Sequence, residues 1–212
     1  KAFSEVLEER LRRRWGYADA KTRVITFDMQ RTEDLINGWK KDPKYGDSMG
    51  LDKIIKGISN SKIDLIIGGP PCQAYSIAGR VRDVHGMEND YRNYLFESYI
   101  KILDYYKPNL FVFENVPGIL SAAPGGIPII TRIREGFSAV GYDIITDIKN
   151  YALIDMSEYG VPQKRKRIVL IGIRKDFTKK DPQELLKIFY KQELPRYKEA
   201  ELKTVSKAIL DL

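Results

Sequence analysis

The sequence predicts an α/β domain built on a mostly parallel sheet. Short apolar, β-rich runs alternate with segments whose apolar residues recur at helical spacing. The runs at 63–67 and 168–173 are nearly continuous in apolar residues, as strands covered on both faces are. Glycine and proline cluster directly after the first of these runs, at the strand end where open α/β sheets form their ligand crevice.

The elements follow in order. Phe3, Val6, Leu7, Leu11 and Trp15 share one helical face, so residues 2–15 read as an amphipathic helix. Residues 23–27 (RVITF) are a short strand ending at Asp28. Residues 37–50, rich in Gly, Lys and Asp, read as a loop. Leu51, Ile54, Ile55 and Ile58 mark a second helix before the strand at 63–67. Helices are expected at 94–105 and 127–140, and strands at 110–113, 142–148 and 168–173. The charged tail has expected helices near 182–191 and 204–211. Residues 1–175 read as the core and 176–212 as a connector toward a further region.

Composition narrows the chemistry. The chain has 212 residues, 43% hydrophobic and 31% charged, enough for a buried core. No apolar run approaches the roughly 20 residues of a membrane helix, so no membrane partner is expected. The first residues, Lys-Ala-Phe-Ser-Glu, do not resemble a secretory signal. Cys72 is the single cysteine and His85 the single histidine. An intramolecular disulfide and a multi-cysteine metal site are excluded, and no metal is expected. Catalysis must run on Cys, Glu, Asp, Arg or a bound cofactor. The net charge of +7 suits an anionic partner such as nucleic acid, though many basic proteins have none.

Three segments carry the candidate chemistry. Gly68-Gly69-Pro70-Pro71-Cys72-Gln73 follows a strand. Glycines allow close backbone approach, and prolines fix φ and extend their predecessors. Four special residues that present one thiol fit a reactive cysteine, although an isolated cysteine is commonly a small apolar filler. A working nucleophile also needs surroundings that favour the thiolate. Phe113-Glu114-Asn115-Val116-Pro117-Gly118 ends another strand. Its carboxyl could protonate a ring nitrogen or simply cap a turn. In Gln163-Lys164-Arg165-Lys166-Arg167, strand alternation would place Gln163, Arg165 and Arg167 on one face, while a solvated charge run is the commoner fate.

Taken together, GGPPCQAYSIAGR, FENVPG and YGVPQKRKR resemble, in order and spacing, the signature of the cytosine-C5 DNA methyltransferases. The likeness runs from about residue 24 to 174. It implies a Rossmann-like, S-adenosylmethionine-dependent fold. It also implies Cys72 as the nucleophile that adds to C6 of cytosine, and Glu114 contacting N3 and the exocyclic amine. Arg165 would approach the O2 side, with Gln163 and Arg167 organising its strand. Asn115 and Val116 would support the pocket, and Pro71 and Gln73 the cysteine loop. Asp28, Pro70 and Leu95 would face the cofactor, S-adenosyl-L-methionine. Glu114 would need a proton to share, for which burial is expected. Ser76, Gly79, Arg80, Arg82 and His85 fall in a segment resembling the family's loop over a flipped base. The implied partner is double-stranded DNA, in a bacterial or archaeal cytoplasm or nucleoid, with a role in restriction–modification.

The family's opening Phe-x-Gly-x-Gly loop and its target-recognition region are not found in the 212 residues. The resemblance therefore implies an internal piece of the catalytic domain with weak cofactor binding and little turnover alone. Self-association or a complementing segment would cover its exposed apolar surface. Two alternatives stand beside this reading: a tRNA cytosine-C5 methyltransferase, and a non-catalytic module on a degenerate methyltransferase fold. Retention of Cys72, Glu114 and Arg165 argues against the second.

Overall fold

The computed structural model describes Asp28, residues 31–71 and residues 95–209. It divides into two compact units, Lys1–Ser61 and Lys62–Leu212.

In the first unit, helix α1 (Thr32–Asn37) leads into a hairpin of β1 (Trp39–Asp42) and β2 (Gly46–Ser48), followed by helix α2 (Leu51–Ile58). The hairpin lies where the sequence suggested a loop. Its strands carry no hydrophobic alternation, and polar contacts hold it instead. The Asp42 carboxylate accepts from the Lys44 and Tyr45 amides at 2.9 and 3.0 Å, and Asp47 accepts from the Lys41 amide at 2.6 Å. Gly38 and Gly50 close the hairpin's base with positive φ. A Cβ on Gly50 would stand 2.4 Å from the Gly38 nitrogen, so neither position admits a side chain without rearrangement.

The second unit is a five-stranded sheet. Strands β3 (Leu65–Gly68), β4 (Leu110–Asn115), β7 (Lys166–Arg174) and β5 (Tyr142–Ile144) lie in the order β3-β4-β7-β5, and β6 (Leu153–Asp155) also pairs with β7. β3 and β4 are parallel. β7 is antiparallel to β4, β5 and β6. The α/β class is as expected, but the described sheet is mixed rather than mostly parallel. Residues 156–165 link β6 to β7, and a link that short falls below the dozen or so residues a parallel crossover needs.

One face of the sheet carries the core. Helices α3 (Leu95–Tyr106) and α4 (Ile129–Ala139) supply Tyr99, Leu103, Ile133 and Phe137, all buried. These pack with Phe111, Phe113 and Tyr142, and the Phe111 and Phe137 ring centroids lie 4.4 Å apart. Phe111 is paired across the sheet with Gly172, where a Cβ would stand 2.0 Å from its ring. On the other face, Leu65 and Ile67 are 47% and 71% exposed. The expectation that this strand is covered on both faces therefore fails: β3 is an edge strand among the described residues. The strand expected over 142–148 ends at Ile144, and helix α5 (Ile148–Tyr151) follows.

β5 and β6 leave a gap along the edge of β7, and the C-terminal segment fills it. The Tyr190 hydroxyl donates to the Val169 carbonyl at 2.7 Å and accepts from the Ile171 amide at 3.0 Å. Gln183 of helix α6 (Pro182–Ile188) donates to the Ile144 carbonyl and accepts from the Thr146 amide. Helix α7 (Val205–Ile209) ends the described chain.

Tyr190→Phe strips β7 of both contacts. It should cost about 1–3 kcal/mol in denaturant unfolding, since two backbone groups lose their partner. A change below about 0.5 kcal/mol would contradict the assignment. Burial raises the Tyr190 phenol above its ordinary range and pushes Tyr142 up to about 12. Both folded values lie above the unfolded value of about 10. Their stabilisation is therefore complete below pH ~10 and is lost as pH rises beyond it. The Tyr190→Phe variant should show a shallower alkaline loss than the parent.

Candidate active site

The site forms where β3 and β4 end and β7 begins. Gly68 pairs with Phe113 in the parallel register, so Gly69 comes level with Glu114. A Cβ on Gly69 would lie 2.9 Å from Glu114 Oε2. The missing side chain is what lets the carboxylate lie against this backbone. One position earlier, a Cβ on Gly68 would meet the Tyr99 ring at 2.4 Å. The buried Tyr99 hydroxyl lies 3.2 Å from the Ile66 carbonyl and 3.0 Å from that of Val112, so one proton serves both strands.

Asn115 ties the next step together. It is 3% exposed. Its amide nitrogen donates to the Pro70 carbonyl at 3.4 Å, and its oxygen accepts from the Val116 amide at 2.9 Å. The backbone leaving β3 is thereby held two residues before Cys72. Pro70 is buried and Pro71 exposed. Val116 precedes a 3-10 turn, Pro117–Leu120.

From the other side, β7 supplies charge. Glu114 is paired with Val169, which places Arg167 diagonally across the two strands on the same face. Arg167 Nε lies 2.8 Å from Glu114 Oε1 in an ion pair, with side-chain exposures of 15% and 43%. The expected burial of Glu114 is therefore not found: a half-exposed carboxylate faces a guanidinium. The shared strand face expected for Gln163, Arg165 and Arg167 is also corrected, because β7 begins at Lys166. Gln163 and Arg165 precede it and are exposed, and the Arg165 carbonyl accepts from the Met156 amide at 2.9 Å.

Leu95 opens α3 and is buried at 7% exposure. Asp28 belongs to the first unit and is exposed, its carbonyl accepting from the Arg31 amide at 3.1 Å. Cys72, Gln73, Ser76, Gly79, Arg80, Arg82 and His85 lie outside the described residues. Among the described residues no His, Cys, Asp and Glu group could hold a metal. The sequence reading missed the direct partnership of Arg167 with Glu114, the room made by Gly69 and the bridging role of Tyr99. Only the register of β4 against β7 could have shown the first.

A double-mutant cycle of Glu114→Gln and Arg167→Gln on stability should give a coupling of about 0.2–1 kcal/mol, falling with added salt, as suits a partly exposed pair. A coupling above about 3 kcal/mol would contradict the exposure seen here.

The C-5 cytosine-specific DNA methylase family matches residues 28–212. The Type II methyltransferase M.Bpa9945I of Bacillus paralicheniformis is 46% identical over 127 residues, covering 58% of this chain and 28% of that protein. The DNA (cytosine-5-)-methyltransferase M.ApeKI of Aeropyrum pernix is 37% identical over 142 residues, covering 58% of this chain and 29% of that protein. A prophage-encoded E. coli protein, described as a DNA modification methyltransferase, superposes with a TM-score of 0.51 at 27% identity, covering 86% of this chain and 45% of that one. The chain thus spans less than a third of the two curated relatives. By the match over residues 28–212, with its paired carboxylate and guanidinium at the strand ends, the chain belongs to the C-5 cytosine-specific DNA methylase family.

Proposed function

We propose that this chain is the catalytic core of an enzyme that methylates C5 of cytosine in double-stranded DNA. The observation that carries the reading is the Glu114–Arg167 pair beside Pro70, whose carbonyl Asn115 holds two residues before Cys72. The target base is flipped out of the duplex, at a cost of a few kcal/mol.

The Cys72 thiolate adds to C6, forming the S–C6 bond. The ring's electron pair moves toward C5, which becomes enamine-like, so one difficult step is divided into two. Glu114, held between Gly69 and Arg167, contacts N3 and the exocyclic amine. Arg165 stands toward the O2 side, where fixed positive charge offsets the electrons the ring gains. Arg167 positions Glu114, and Gln163 supports the turn into β7. Asn115 and Val116 keep the β4 end in place, while Pro71 and Gln73 flank the nucleophile. Ser76, Gly79, Arg80, Arg82 and His85 contact the DNA around the flipped base.

S-adenosyl-L-methionine supplies the electrophilic methyl group when bound. The residue types suit it: Asp28 is the acidic residue that would accept from an adenine amine, and Pro70 and Leu95, both buried, would supply apolar packing. After transfer, loss of the C5 proton and return of the electron pair to sulfur release the product and Cys72.

The test is trapping on duplex DNA carrying 5-fluorocytosine. The fluorine cannot leave as a proton does, so the adduct persists. Mass spectrometry should find it on Cys72, and Cys72→Ser should form none. An adduct on another residue, or none on the full-length protein with S-adenosyl-L-methionine present, would overturn the reading. Gly69→Ala, which crowds Glu114 Oε2, should slow adduct formation about ten-fold or more, because small misplacements at a reacting centre are costly.

A further inference from the structure

The loop that carries Gln163 and Arg165 is gripped by the C-terminal segment. The loop, residues 156–165, is closed on itself. The Met156 amide donates to the Arg165 carbonyl at 2.9 Å, and the Met156 carbonyl accepts from the Val161 amide at 3.3 Å. The Gln163 amide donates to the Val161 carbonyl at 2.7 Å. These bonds set the loop's shape, and the loop joins the sheet at its base, where β6 ends and β7 begins.

Residues 198–203 hold its outer turn. The Glu199 amide donates to the Glu158 carbonyl at 2.9 Å. Lys198 Nζ lies 2.5 Å from Glu158 Oε2. Glu199 also lies against Gly160, where a Cβ would stand 3.0 Å from Glu199 Oε1 and 3.2 Å from Lys203 Nζ. Lys203 is itself paired with Glu199 at 3.1 Å. Gly160 ends the 3-10 turn Met156–Tyr159 with φ +81°, in the left-handed region that glycine adopts freely. The grip has a fixed base. The Tyr190 hydroxyl is bonded to the backbone of β7 at Val169 and Ile171. From Phe189 to Tyr197 the chain runs in two consecutive helical turns, with no extended stretch between anchor and grip. The C-terminal segment therefore braces the loop against the same strand that carries Arg167.

We propose that Lys198 and Glu199 are positioning residues: by holding the turn at Glu158 and Gly160 they set where Arg165 stands beside the flipped cytosine. The proposal rests on the cytosine-methylating reading, in which Arg165 faces the O2 side of the base. Neither Lys198 nor Glu199 touches the base; both act through the loop. Arg165 is exposed and lies two residues before Arg167, the partner of Glu114. A shift of the loop therefore moves one cation of the site relative to the other. Loops that carry functional groups depend on a rigid scaffold to place them.

The test is the rate of adduct formation on 5-fluorocytosine duplex DNA by the full-length protein, with S-adenosyl-L-methionine present. Lys198→Glu sets two carboxylates face to face. It should lower the rate at saturating DNA by about five-fold, because small misplacements at a reacting centre are costly. The final adduct yield should match the parent's, since the fold is intact. Adding Glu158→Lys restores the pair with its charges exchanged, and should restore the rate. Lys187→Glu makes the same change of charge at an exposed position of α6, and should leave the rate unaltered. An unchanged rate in Lys198→Glu, a reduced yield at an unchanged rate, no rescue by the exchanged pair, or an equal loss in Lys187→Glu would each overturn the proposal. The parent's own adduct separates the two readings. An adduct that forms equally fast in every variant refutes the grip alone, whereas no adduct on the parent refutes the methylation reading beneath it.

Discussion

The antiparallel register of β4 against β7 decides what faces Glu114. Side chains alternate along a strand with a period of two, so a slip of one residue would exchange every contact at the site. With Glu114 opposite Val169, Arg167 reaches the carboxylate, and Asn115 turns to the buried side and holds Pro70. The same register sets Gly172 beneath Phe111, where no side chain could be accommodated. The core and the candidate site are thus fixed by one pairing. The aromatic cluster that locks β4 from below also holds the carboxylate in place above.

β7 must itself be held, and its outer edge is shared by two short strands with a gap between them. Tyr190 supplies side-chain hydrogen bonds where no strand is present, and Gln183 holds the end of β5. Unpaired backbone groups inside a protein are costly. This makes residues 182–193 part of the sheet's support, even though their sequence reads only as a helix in a charged tail. The opposite edge is different: β3 keeps Leu65 and Ile67 exposed, so among the described residues the core lies on one side of the sheet.

Much of this was legible in the sequence because it was written in local patterns. Helical spacing located α2, α3 and α4, and apolar runs located β3, β4 and β7 to within two residues. Three motifs at strand ends supplied the candidate residues, of which Glu114 and Arg167, and Asn115 and Pro70, come together. What was not legible depended on long-range register or on polar local bonds. The hairpin at 39–48 is held by Asp42, Asp47 and two glycines, with no hydrophobic alternation to announce it. The direction of β7 followed from the length of a link whose boundaries were unknown. The pairing of Arg167 with Glu114, and the half-exposure of that carboxylate, followed only once β4 and β7 were aligned. Tyr99 falls within an expected helix, and nothing local shows that its hydroxyl bridges two strands.

The account depends on a sulfur nucleophile working beside this carboxylate–guanidinium pair. Attack at C6 alone makes C5 protonatable, so hydrogen at C5 should exchange with water before any methyl group moves. The direct measurement is release of tritium from C5-labelled cytosine in duplex DNA. Release by the parent protein, lost in Cys72→Ala and strongly slowed in Glu114→Gln, is the expected result. Release that persists without the Cys72 thiol would contradict the account.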